Sequence, residues 1–128
     1  MQRRTMLKSE IRDARTTESD CHLPSSVTID VELMEAADIR EYEQVTIVNA
    51  DTGAHLETYA LAGERGGGEV RLNGASARMV ASGTLVTLLS YETLMTIELD
   101  IRQPRIVHLD QDNRLVTVDG NERERAIR

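Results

Sequence analysis

Apolar positions in this chain alternate more often than they recur at helical spacing. Glu43 to Asn49 sets Val45, Ile47 and Asn49 on one face and Gln44, Thr46 and Val48 on the other. A period of two predicts a strand. Asp51-Thr52-Gly53 is a hairpin-type turn, and Leu56 to Leu61 returns as the next strand. Met6 to Ala14 reads as an earlier strand with Met6, Leu7 and Ile11 inward, and Thr16 to Asp20 as a polar connection. Ser26 to Ile29, Val70 with Leu72, and Thr84 to Tyr91 are further strands, the last carrying Leu85, Val86, Leu88 and Leu89. Glu64 to Glu69, Asn73-Gly74 and Val80 to Gly83 read as connections and turns. One short helix is predicted, capped by Asp30, with Leu33, Met34, Ala37 and Ile39 as its apolar stripe. The acidic run from Asp30 to Glu43 reads as that helix's solvated face. Met95 to Ile101 and Arg105 to Leu109 are two more candidate strands.

Many short strands, frequent turns and little helix predict a mainly β fold, a small closed barrel. One domain over residues 1–110 is expected, with a charged, flexible C-terminal tail over 111–128 that frays from Asn121 to Arg128.

Composition narrows the class. The 128 residues are 40 % hydrophobic, with no Phe or Trp and three Tyr, so aliphatic side chains must fill the core. A net charge of −7 argues against a nucleic-acid surface. No apolar run approaches the roughly 20 residues of a membrane span. Met1 to Met6 is basic without the apolar core of a signal peptide. The lone Cys21 forms no internal disulfide. A cytoplasmic protein is the expectation. His22, His55 and His108 are scattered, and Cys21-His22 is the wrong spacing for a zinc pair on one strand face, so no metal site is predicted. Gly66-Gly67-Gly68 lacks the lysine and hydroxyl residue of a phosphate loop.

One stretch stands apart, His22-Leu23-Pro24-Ser25-Ser26-Val27-Thr28-Ile29-Asp30. Pro24 suits a turn, and the β-branched run after it suits a strand. Alone, this is a loop entering a strand, with Ser25 or Ser26 bonding its own backbone. Taken with Arg4-Thr5-Met6-Leu7, Ala36 to Ile39, Thr58 to Gly66 and Asn73-Gly74-Ala75-Ser76-Ala77, in this order and spacing, it resembles the aspartate 1-decarboxylase family. These are small pyruvoyl enzymes that make β-alanine for pantothenate. The resemblance covers roughly Arg4 to Tyr91 and fades after about Leu94.

The resemblance implies a double-psi β-barrel that assembles as a homotetramer with active sites between subunits. It makes Ser25-Ser26 the cleavage site. The Ser26 hydroxyl attacks the preceding carbonyl, the amide becomes an ester, and elimination with hydrolysis leaves a pyruvoyl group derived from Ser26. It gives Thr58 a contact to the scissile carbonyl, makes Tyr59 the proton donor after carbon dioxide departs, and places Asn73, Gly74 and Ala75 in the pocket wall. Taken singly, Thr58 and Tyr59 are ordinary strand residues and Asn73-Gly74 is only a turn.

Departures from the family pattern point to a divergent member. Ser25 stands where the family has glycine, whose backbone angles serine resists by about 1 kcal/mol. Either self-cleavage is slowed or Ser25 competes as nucleophile. Pro24 stiffens the approach further. Glu10 and His55 stand where the family carries a lysine and an arginine against substrate carboxylate. Lys8, two residues before Glu10 on the same strand face, is the candidate replacement. Leu23 and Val48 replace a tyrosine and a tryptophan. These losses leave open an unprocessed homologue that binds a small molecule, or reacts through Tyr59, Glu10 and His55. A structural or regulatory barrel is the third reading. Whether a maturation partner assists also stays open.

Overall fold

The computed structural model describes residues 2–97 and 103–120. The chain forms β1 (Arg3–Arg15), β2 (Ser26–Asp30), α1 (Val31–Ala37), β3 (Gln44–Asn49) and β4 (His55–Gly63). β5 (Val70–Asn73), β6 (Leu85–Met95), β7 (Arg105–Leu109) and β8 (Leu115–Asp119) follow. One strongly curled sheet runs in the order β5-β2-β4-β3-β6-β1-β7-β8, the architecture of a small double-psi β-barrel. The alternating segments all form strands, because each buries one row of aliphatic side chains. Ile11, Val27, Ile29, Val45, Ile47, Val70, Leu72, Val86, Leu88 and Val107 are fully buried in one cluster.

The curl closes where the pattern gave only a connection. After β1, the backbone N–H of Thr17 donates to Val70 O at 2.8 Å, and that of Asp20 to Leu72 O at 3.2 Å. Asp20 also bridges Asn73 in parallel. The polar segment Thr16–Asp20 therefore hydrogen-bonds the free edge of β5. It satisfies backbone groups that an open edge would expose, and it delivers the next residues to the barrel's mouth.

α1 starts where Asp30 caps it, its carboxylate accepting from Glu32 N at 2.9 Å. It stops at Asp38, which is left-handed with φ 56°. Leu33, Met34, Ala37 and Ile39 are buried, as the stripe predicted. Asp30 itself is only 3 % exposed, so the acidic run does not begin as a solvated face. Its two oxygens also accept from Gly66 N at 3.1 Å and Gly68 N at 2.9 Å, which ties the glycine-rich connection to the end of β2.

Three further expectations need correction. β6 continues to Met95 because it pairs with the start of β1, Arg3 opposite Met95, so Met95 ends a strand and does not begin one. Thr96 and Ile97 follow in a helical turn, and Glu98–Ile101 lie outside the described residues. Residues 111–120, expected in the tail, include β8, which pairs antiparallel with β7. Asn113, 3 % exposed, fastens that segment: it accepts from Arg15 N at 2.8 Å and donates to Gly68 O at 2.8 Å. Residues 121–128, where fraying was expected, lie outside the described residues. Asn73-Gly74 is more than a turn, since it opens a short 3-10 helix over Gly74–Arg78.

Candidate functional site

Ser26 opens β2 and is fully buried. It lies opposite Asn73 in the antiparallel β2–β5 ladder, which directs both side chains to one face. Thr28, two residues on, shares that face by the strand's period. Asn73 Nδ2 donates to Ser26 Oγ at 3.1 Å and to Thr28 Oγ1 at 3.0 Å. The Ser26 hydroxyl in turn donates to Pro24 O at 3.0 Å. Ser76, absent from the sequence-based candidates, completes the cluster from the 3-10 helix. Its hydroxyl lies 3.0 Å from Ser26 O and 2.6 Å from Asn73 O. Its signal was present in the sequence, as a hydroxyl residue three positions after Asn73 at the start of a helical turn.

Gly74 fits this cluster for steric reasons. It has φ +60°, and a Cβ on it would meet Ser25 N at 2.5 Å, Leu23 O at 2.6 Å and Ser25 Cα at 2.7 Å. Its N–H donates to Asp20 O at 2.9 Å. The backbone of Gly74 thus lies directly on the Leu23–Ser25 segment, where only hydrogen fits. Ala75, next along, is exposed.

β4 supplies the other side. Val27 pairs with Ala60 in the parallel β2–β4 ladder. Continued back by one residue, that register sets Ser26 beside Tyr59; continued back by two, it sets Ser25 beside Thr58. Tyr59 and Thr58 are half-buried. The Tyr59 ring lies 6.3 Å from that of Tyr42, an exposed residue with φ 72° whose N–H donates to Ala60 O at 2.7 Å. The structure therefore groups Ser25, Ser26, Asn73 and Gly74 where β2 begins and β5 ends, with Thr58 and Tyr59 in the middle of the neighbouring β4, just before Ala60.

The remaining candidates lie elsewhere in the chain. Lys8 and Glu10 are on β1, separated from β2 by β4, β3 and β6. Between Leu7 and Ser9 the β1–β6 register slips, so Lys8 sits in an irregularity. Its ammonium pairs with Glu43 Oε2 at 2.5 Å, and its side chain is 11 % exposed. Glu10 pairs with Arg12 at 3.3 Å. His55 is exposed at the start of β4, four residues from Tyr59 and so about 13 Å along the strand. Glu43, missed as a candidate, holds the one cation put forward to replace the lost ones. Its carboxylate also accepts from Arg40 N at 3.0 Å.

Both Asn73 amide hydrogens are taken by Ser26 Oγ and Thr28 Oγ1, while its buried Oδ1, an acceptor, has no hydrogen-bond partner among the described residues. Also among the described residues, no three of His, Cys, Asp and Glu lie together as a metal-binding group. No helix among them is long and apolar enough to cross a membrane. A cleft of about 390 Å³ opens between Arg15–Thr17, Gly67-Gly68 and Gln111–Arg114, and contains none of the sequence-based candidates.

A family model described as aspartate decarboxylase matches residues 1–116, and the chain belongs to that family. The match runs past Leu94, where the resemblance read from the sequence faded. It takes in β7 and the first residues of β8.

Proposed function

We propose that this member of the aspartate decarboxylase family is a self-processing, pyruvoyl-dependent amino-acid decarboxylase. Its reaction is L-aspartate to β-alanine and carbon dioxide, the supply step for pantothenate. The observation that carries this reading is the buried Ser26–Asn73–Ser76 cluster beneath Gly74, in a chain of this family. Cleavage between Ser25 and Ser26 turns Ser26 into the prosthetic group. A pyruvoyl group at this position would be held by the start of β2 beside Asn73 and would supply an electrophilic ketone that serves as an electron sink for decarboxylation. Asn73 Nδ2 then hydrogen-bonds beside it, and Tyr59, one register step away on β4, returns a proton to the substrate carbon.

Substrate carboxylate is bound by cations brought from elsewhere. Lys8 serves once the substrate carboxylate displaces Glu43 from it, because a buried carboxylate without a partner is strongly disfavoured. Lys8 reaches that end of β4 within one chain, because the carbonyl of its partner Glu43 accepts from Ala60 N at 2.9 Å and Ala60 pairs with Val27. The homotetramer with active sites between subunits, and the place of His55 and Glu10 at that boundary, are carried over from the family resemblance. A cytoplasmic location goes with this reading.

Intact-mass spectrometry tests it. Two fragments are expected, the larger beginning at Ser26 with a blocked terminus that borohydride reduces, together with carbon dioxide release from L-aspartate. A single full-length mass after heating and long incubation, with no carbon dioxide, would overturn the reading in favour of an unprocessed homologue.

A further inference from the structure

We infer that the chain carries a second processing register one residue upstream, in which Ser25 attacks the Pro24 carbonyl and Ser26 is its hydrogen-bond donor. The inference rests on the self-processing reading above and changes which peptide bonds break. The Ser26 hydroxyl proton is directed at Pro24 O, at 3.0 Å, and not at the carbonyl of Ser25. The Ser26 hydroxyl oxygen itself accepts from Asn73 Nδ2 at 3.1 Å, which draws electron density from it. Ser26 is thus set up as a donor to the carbonyl before Ser25. Negative charge develops on that carbonyl's oxygen when its carbon is attacked.

The nucleophile suited to that carbon is the next residue's hydroxyl, which reaches it by closing a five-membered ring. Ser25 is half-buried, and its hydroxyl has no hydrogen-bond partner among the described residues. Gly74 presses on the peptide unit concerned, as a Cβ there would meet Ser25 N at 2.5 Å and Leu23 O at 2.6 Å. The peptide is thus bound by Ser26 at its oxygen, and on its nitrogen side the Gly74 backbone leaves no room for a side chain.

The chemistry balances with water alone. Ser25 Oγ bonds to the Pro24 carbonyl carbon, the C–N bond breaks, and the hydroxyl proton ends on the Ser25 nitrogen, giving an ester. Loss of the Ser25 Cα proton expels the Pro24 carboxylate and leaves a dehydroalanine at position 25. This tautomerises to an imine, and water hydrolyses it to a ketone with release of ammonia. The products are residues 1–24 with a free carboxylate and a chain whose ketone stands at position 25.

Intact mass of the purified full-length chain and of two variants tests this. The wild type is expected to yield a 1–24 fragment alongside 1–25. Ser25→Ala should lose the 1–24 fragment while keeping 1–25, which shows that the variant still folds. Ser26→Ala should lose 1–25 and release 1–24 about a hundredfold more slowly, the usual effect of removing one such donor. Only 1–25 in the wild type overturns this inference and leaves the proposed function standing. A 1–24 fragment that survives Ser25→Ala, or that forms at full rate in Ser26→Ala, also overturns it. A single uncleaved mass overturns both.

Discussion

Gly74→Ala tests the contact on which the candidate site is built. The new methyl carbon would lie 2.5 Å from Ser25 N, 2.6 Å from Leu23 O and 2.7 Å from Ser25 Cα. All three neighbours are main-chain atoms, so no rotamer change relieves them. The left-handed backbone at φ +60° adds roughly 1–2 kcal/mol for any residue with a Cβ. Overpacking against fixed atoms adds about 1–3 kcal/mol more. A loss of roughly 2–5 kcal/mol follows, or a displaced Leu23–Ser25 segment that relieves part of it. Gly53→Ala is the control, because Gly53 has φ +77° and nothing within 4 Å of its would-be Cβ. It should lose only the backbone cost. Urea unfolding of both variants measures the difference, and intact mass measures processing. Gly74→Ala should be less stable than Gly53→Ala by more than about 1 kcal/mol and should process far more slowly. Equal stability losses with normal processing would refute the claim that Gly74 holds the cleavage segment.

Other expected outcomes follow from single contacts. Asp30→Ala leaves three backbone N–H groups without their carboxylate and should cost roughly 3–4 kcal/mol, read from the urea midpoint; a loss under about 1 kcal/mol would contradict the hub. Glu43→Gln keeps an acceptor for Arg40 N but frees Lys8, so KM for L-aspartate should fall about threefold to tenfold. An unchanged KM would place Lys8 outside the substrate site. Arg65 grips Glu35 with two hydrogen bonds, at 3.0 and 2.7 Å, and this lowers the Glu35 pKa. Because the folded carboxyl is the more acidic, the pair stabilises above the ordinary Glu range, and the gain is lost as pH falls through the lowered value. Arg65→Met should therefore differ from wild type at neutral pH and low salt, and converge with it in acid or concentrated salt. A gap that persists in acid would point to packing of the arginine stem.

The barrel's strands were legible because their rows of Val, Ile and Leu bury one face, and burial is what alternation encodes. Two parts escaped for a common reason. Thr16–Asp20 closes the barrel through backbone N–H groups, so its side chains stay polar and leave no periodic trace. β8 hangs on β7 alone, with Leu115, Val116 and Thr117 all exposed, so it buries almost nothing that a pattern could report. The β6 extension to Met95 is similar, for it is set by pairing with Arg3 and Arg4 of β1 and not by its own sequence.

The site was partly legible for a different reason. Ser26 and Asn73 meet because β2 pairs with β5, and β4, which carries Thr58 and Tyr59, pairs with β2 on its other side; the resemblance set these residues together without showing the ladders. Position 25 is where reading and structure part. A serine there was expected to resist a glycine-like backbone, yet the positive φ values nearby belong to Gly74 and not to Ser25. Ser25 has no positive φ and so carries none of the strain expected for a serine in a glycine-like conformation. On the proposed reading, the serine at position 25 adds a second hydroxyl beside the cleavage segment, and the hydrogen bond from Ser26 to Pro24 O makes the upstream carbonyl the one whose attack Ser25→Ala would remove.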